Sequence, residues 1–115
     1  MTDINASGKE YAEDNLRTLI DDLTALLIKQ GFVYVSDWFD EPSTAYVVQA
    51  HKEPVTMYVV QGHFLLKDGA FEMVVNAGAE FKVPLKGMYT VEVGPEGCTY
   101  VLGEMFNGDF VKTKL

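Results

Sequence analysis

VTMYVVQGHFLLKDG, residues 55–69, decides the fold. The run is rich in β-branched and aromatic side chains, which fit a pleated, half-buried surface and crowd a helix. Gly62 divides it into two strands, and Lys67-Asp68-Gly69 reads as a tight hairpin, with Asp-Gly supplying the positive φ angles of a type I′ turn. In VTMYVV, Met57 and Val59 lie on one face and Tyr58 and Val60 on the other, because side chains alternate along a strand. Both faces are apolar. An antiparallel strand with one wet face would alternate apolar with polar residues, so the second face must be covered. A second copy of the chain or an element of the same chain would serve, and the expectation is a homodimer.

The same texture continues on either side. FEMVVNAG, EFKVPL, YTVEVGPEG, CTYVLGE and DFVKTKL downstream, and VYVSDWF and STAYVVQAH upstream, are short runs separated by Gly, Pro, Asn and Asp. Gly94-Pro95-Glu96-Gly97 reads as a turn between two of them. Strands this short, with no helical pattern between them, predict an antiparallel sandwich or barrel. Before Phe32 the period differs. Leu16, Leu19, Ile20, Leu23, Leu26 and Leu27 recur at spacings of three and four, the apolar stripe of a helix over about residues 9–30. Ser7 with Glu10 suggests a capping box, and Gly31 suits a left-handed C-terminal cap. Residues 1–115 read as a single domain, the helix followed by a β-barrel over about 32–115.

Composition narrows the function classes. The formal net charge is −8, from 17 acidic and 9 basic residues, and Arg17 is the one arginine. A protein that neutralises phosphates needs a surplus of Lys and Arg, so neither nucleic acid nor an anionic membrane is expected as a partner. No apolar run approaches the roughly 20 residues of a membrane span. The acidic, polar start MTDINASGKEYAEDN lacks the pattern of a signal peptide, and Cys98 has no partner for a disulfide. A reducing cytoplasm is the expected compartment.

From about residue 32 to 104 the spacing resembles the cupins, small jelly-roll barrels. In the first cupin motif Gly62 takes the closing glycine, Val55 the position of the ligand Glu, and His51 and Gln49 the positions of two ligand His. In the second, Gly78 and Pro84 keep their spacing, Lys86 stands where Gly is expected, Tyr89 where a ligand His is expected, and Val93 in place of Asn. The resemblance implies an all-β fold, an antiparallel double-stranded β-helix (cupin jelly-roll barrel) preceded by one N-terminal α-helix. Metal-binding cupins of this kind hold a divalent ion with three His and one Glu. Here Val55 offers a metal nothing, and a glutamine amide or a neutral phenol is a poor ligand beside imidazole or carboxylate. The expectation is therefore no metal and no cofactor.

The resemblance further implies a pocket inside the barrel, in which Gln49, His51 and Tyr89 are the polar members and Val47, Val55, Met57, Val91 and Val93 the apolar lining. A mostly apolar cavity with a few convergent polar groups is the usual form of a small-molecule site. A metal-free small-molecule-binding or sensory barrel is the first expectation. The alternatives are a cupin enzyme of isomerase, epimerase or dioxygenase type, with His51 and Tyr89 as candidate catalytic residues and with or without a weakly held divalent metal, and a structural barrel with a filled interior. Outside this set, His63 reads as an exposed strand residue and Cys98 as a buried thiol. Asp37, Asp40 and Glu41 read as a solvated loop. Trp38 either covers the barrel mouth or packs on the helix.

Overall fold

The computed structural model describes residues 13–85 and 87–115. The possible cap at Ser7 and Glu10, and Lys86, lie outside the described residues. Helix α1 spans Glu13–Lys29, and seven strands follow: β1 Tyr34–Asp40, β2 Ala45–Ala50, β3 Val55–Asp68, β4 Phe71–Asn76, β5 Glu80–Val83, β6 Tyr89–Glu104 and β7 Phe110–Lys114. The ladders among these seven strands are antiparallel, and Ala50 at the end of β2 adds an isolated parallel bridge to Leu85.

The helix ends as Gly31 requires. Gly31 has φ +104°, its N–H donates to Ile28 C=O at 3.0 Å, and the Phe32 N–H donates to Leu27 C=O at 3.1 Å. These are the two bonds of a Schellman motif. The motif turns Phe32 back beside Leu27, and both rest on Gly103 of β6, where a Cβ would meet the Phe32 ring at 2.9 Å. The apolar stripe of α1 packs Ile20 and Leu27 against Val60 and Val101, with Tyr58 and Val35 at the margin. The second apolar face of VTMYVV is thus covered from within the chain, and it no longer calls for a second copy.

Three expectations about turns are corrected. Residues 55–68 form one strand rather than two, and so do residues 89–104. Gly62 and the Gly94–Gly97 segment do not reverse the chain; they bend it. Gly62 pairs with Cys98 across the sheet, and the register slips between Val59 and Gln61 and again between Gly62 and Phe64. Gly62 and Gly97 have φ +80° and +81°, and a Cβ on Gly62 would lie 2.0 Å from the Gly97 carbonyl oxygen. Only a glycine at position 62 lets β3 approach β6 this closely, while at Gly97 a Cβ would instead meet the Phe39 ring and the Asp40 carbonyl of β1. Each slip also shifts which residues point inward, from Val55, Met57 and Val59 to Phe64 and Leu66 on β3, and from Val91 and Val93 to Cys98, Tyr100 and Leu102 on β6. This is the effect of a bulge. The hairpin after β3 is present, but its two loop residues are Gly69 and Ala70, since Asp68 pairs with Phe71. A positive φ at Gly69 alone gives a type II′ rather than a type I′ turn.

Because β3 and β6 pair along their length and bend together, they serve two layers. One layer runs β1, β6, β3, β5, and the other β4, β3, β6, β2, β7. The core between them includes Val48, Met57, Phe64, Phe81, Val91, Tyr100 and Leu102. Phe64 and Phe81 meet edge to face, with centroids 6.0 Å apart.

Candidate functional site

The expected pocket does not come together. On β2 the buried residues are Tyr46, Val48 and Ala50, so Val47 and Gln49 point to the opposite face. Strand β2 ends at Ala50, and His51 is exposed just beyond it. The His51 N–H, with those of Lys52 and Glu53, donates to the buried carboxylate of Asp109 at 3.1, 2.9 and 3.1 Å, which fixes the loop but leaves the imidazole outside. Tyr89 pairs with Val48 and is half-buried against the core. Val55, Met57, Val91 and Val93 face inward and are packed into the core with Phe64, Phe81 and Tyr100. Gln49 and Val47 fail for one reason: a strand alternates with period two, so a slip of one residue turns its whole set around. His63 is half-buried over Gly94, where a Cβ would meet its ring at 2.6 Å.

A different polar constellation occupies the interior. On β1, Trp38 pairs with Tyr100 and Asp40 with Cys98, so these four share the inward face. On β7, Lys112 pairs with Val48 and Lys114 with Tyr46, which brings both lysines to the same side. Asp40 is 8% exposed and is the buried end of a strand, not part of a solvated loop. One of its oxygens accepts from Lys112 Nζ at 2.8 Å, and the other accepts from the Tyr46 hydroxyl. Lys112 Nζ also donates to the Tyr100 hydroxyl at 2.9 Å. The same ammonium lies 4.7 Å from the Trp38 ring centroid, 5.3 Å from that of Tyr46 and 5.6 Å from that of Tyr100. Trp38 therefore stands at the barrel mouth and not on the helix, and its Nε1 donates to Ser36 Oγ at 2.9 Å.

The electrostatics follow from burial. Desolvation pushes the Tyr46 phenol well above its ordinary range, and the neighbouring Tyr100 and Asp40 push it further. Tyr100 is raised in the same way, by desolvation first and then by the Asp40 charge. Both therefore stay neutral and act as hydrogen-bonding groups rather than bases. Cys98 behind them is a buried thiol, pushed up to about 12 by desolvation and by Asp40. The cluster opens on a cavity of about 340 Å³ lined by Phe39, Asp40, Glu41, Thr44, Tyr46, Lys112 and Lys114. Such a lining can hold a small polar molecule by charge, by the phenol and by aromatic contact.

A divalent metal does not fit these donors. Among the described residues no three His, Cys, Asp or Glu side chains come together in a way that could hold an ion. Asp40 is committed to a lysine and a tyrosine, and Gln49, His51 and Tyr89 do not share a cavity wall.

No protein-family model matches the sequence, and no curated protein matches it. Solved structures do share its fold. An RmlC-like cupin from Shewanella frigidimarina has a TM-score of 0.54 at 22% identity, over 68% of this chain and 70% of that chain. A Vibrio parahaemolyticus protein of unknown function scores 0.52 at 22% identity, over 60% of this chain and 72% of that chain. A cupin-2 domain containing protein from Shewanella frigidimarina scores 0.50 at 14% identity, over 59% and 65%. The chain has the cupin fold: a mostly β, antiparallel structure with one N-terminal helix. Among the described residues no helix is long and apolar enough to cross a membrane.

Proposed function

We propose that the protein is a small-molecule-binding or sensory barrel that works without a metal and seats its ligand at the mouth formed by Asp40, Tyr46, Tyr100 and Lys112. The observation that carries this reading is the buried Asp40–Lys112 pair opening directly on a cavity. An ion pair removed from water contributes little net stability and is often replaceable by apolar residues. Its position beside a cavity lined by Tyr46, with Trp38 and the neutral Tyr100 packed on the same ammonium, supports recognition. Such groups fix orientation in binding sites that are otherwise apolar.

The sequence contains one tryptophan, Trp38, whose ring lies against the Lys112 ammonium, so intrinsic emission reports on that ammonium's surroundings. The test is a titration of sodium acetate, n-butylammonium chloride and glucose, representing anionic, cationic and neutral ligands, followed by Trp38 emission. At least one class is expected to give a saturable change that Tyr46→Phe weakens. Elemental analysis of protein purified without chelator complements it. Stoichiometric iron, zinc, manganese or nickel that is lost in His51→Ala would overturn the metal-free reading.

A further inference from the structure

We propose that Lys112 is a resident stand-in for a small protonated alkylamine, and that Trp38, Tyr46, Tyr100 and Asp40 form the site such a ligand occupies by displacing the Lys112 side chain. The proposal rests on the mouth being a ligand seat and names the class of ligand. Three rings within 6 Å of one ammonium, with a carboxylate at its side, is how proteins recognise cationic nitrogen. Here that arrangement is filled by a side chain of the protein itself. Two acceptors also meet the nitrogen, Asp40 at 2.8 Å and Tyr100 at 2.9 Å. A quaternary ammonium has no N–H for them, whereas a primary alkylammonium supplies three.

The occupant is placed to leave. Lys112 sits on β7, the last strand in the order of its sheet, its side chain is 24% exposed, and it lines the cavity of about 340 Å³ beside it. Withdrawal would carry the ammonium toward water with Lys114 and Glu41 as its neighbours, while the incoming ammonium takes over the neutralisation of Asp40. The buried carboxylate is never left unpaired, which is the expensive state. A net charge of −8 draws cations toward the protein. Lys114 opposes a second positive charge in the cavity, so a monoamine fits better than a diamine.

The experiment titrates wild-type protein with n-butylammonium chloride, following Trp38 emission, with 1-butanol as the neutral isostere and sodium chloride as the ionic control. A saturable change with butylammonium alone is expected. In Lys112→Ala the competitor is gone, and binding is expected to tighten on the order of tenfold, since the resident lysine otherwise keeps most of the population closed. Lys112→Gln keeps a donor for Asp40 and serves if Lys112→Ala does not fold; it is expected to shift the same way. Wild-type emission that ignores butylammonium, equal affinity in wild type and variant, or an equal response to 1-butanol would each overturn the proposal and leave Lys112 a permanent structural tie. If acetate or glucose binds and butylammonium does not, the proposal falls and the ligand seat stands. If none of the three binds, both fall.

Discussion

Replacing Gly62 with alanine tests the central claim about the barrel, that β3 and β6 bend together with Gly62 lying directly against the Gly97 backbone. Two costs arise. An L-residue held at φ +80° pays roughly 1–2 kcal/mol for a left-handed backbone. The new Cβ would also lie 2.0 Å from the Gly97 oxygen, more than 1 Å inside the 3.4–4 Å of ordinary van der Waals contact. The obstacle is backbone, not the end of a flexible side chain, so the strands must part, and forced overpacking costs a further ~1–3 kcal/mol. The total, roughly 2–5 kcal/mol, is a large share of the roughly 5–15 kcal/mol by which a domain is stable. Gly78 supplies the control. Its φ is +92° and a Cβ there meets nothing within 4 Å, so Gly78→Ala carries the backbone cost alone. Urea unfolding of both variants at pH 7, followed by far-UV circular dichroism, measures the difference. Gly62→Ala is expected to fall below Gly78→Ala by about 1–3 kcal/mol. Equal midpoints, within about 0.5 kcal/mol, would refute the close crossing.

Other consequences can be checked with the same assays. Lys112→Met strands the Asp40 carboxylate in a buried setting and should cost about 3 kcal/mol, much of it recovered in Lys112→Met with Asp40→Asn; a double mutant no more stable than the single would contradict the pairing. Asp109→Ala removes the acceptor of three backbone amides and should cost about 2 kcal/mol, with faster hydrogen exchange at His51, Lys52 and Glu53. Stability should fall in alkali. Tyr46, Tyr100 and Cys98 all have folded pKa values above their ordinary ones, so the unfolded chain gives up protons first and the folded state loses ground as pH rises. For Cys98 the loss begins near the ordinary value of 9.0 and is complete near 12, and for the two tyrosines it begins above 10.0. Unfolding midpoints between pH 7 and pH 11, with tyrosinate absorbance, measure it. At pH 8 an iodoacetamide reaction with folded Cys98 should be slow and should become fast in urea.

The parts of the fold legible in the sequence are those where one residue type answers one local demand. The leucine stripe, Gly31 as the helix cap and the covered second face of VTMYVV each follow from a period or a φ angle. Length was harder to read. A glycine inside a run of β-branched residues signals a turn and a bulge equally well, and nothing local separates them. Gly62 and Gly97 are bulge and crossing residues because of where the other strand lies, a long-range fact.

The site was hidden by a single parity. Placing Gln49 and His51 inward, as the metal motif of the cupins does, puts Tyr46 on the opposite face, away from Asp40, whose carboxylate accepts from its hydroxyl. The composition of β2 held the contrary signal. Tyr46, Val48 and Ala50 are apolar throughout, while Gln49 interrupts the other set, so the amphipathic pattern favours the even positions. Once those point inward, Asp40 two residues after Trp38 and Lys112 opposite Val48 must share the same space, because paired residues of neighbouring strands share a face. A buried acid and a buried lysine on separate strands then have to find one another, since either alone in the core would cost several kcal/mol. The parity of β2 was thus legible in the strand pattern once the resemblance of spacing yielded to it, whereas the meeting of Asp40 with Lys112 rests on the register between strands far apart in sequence.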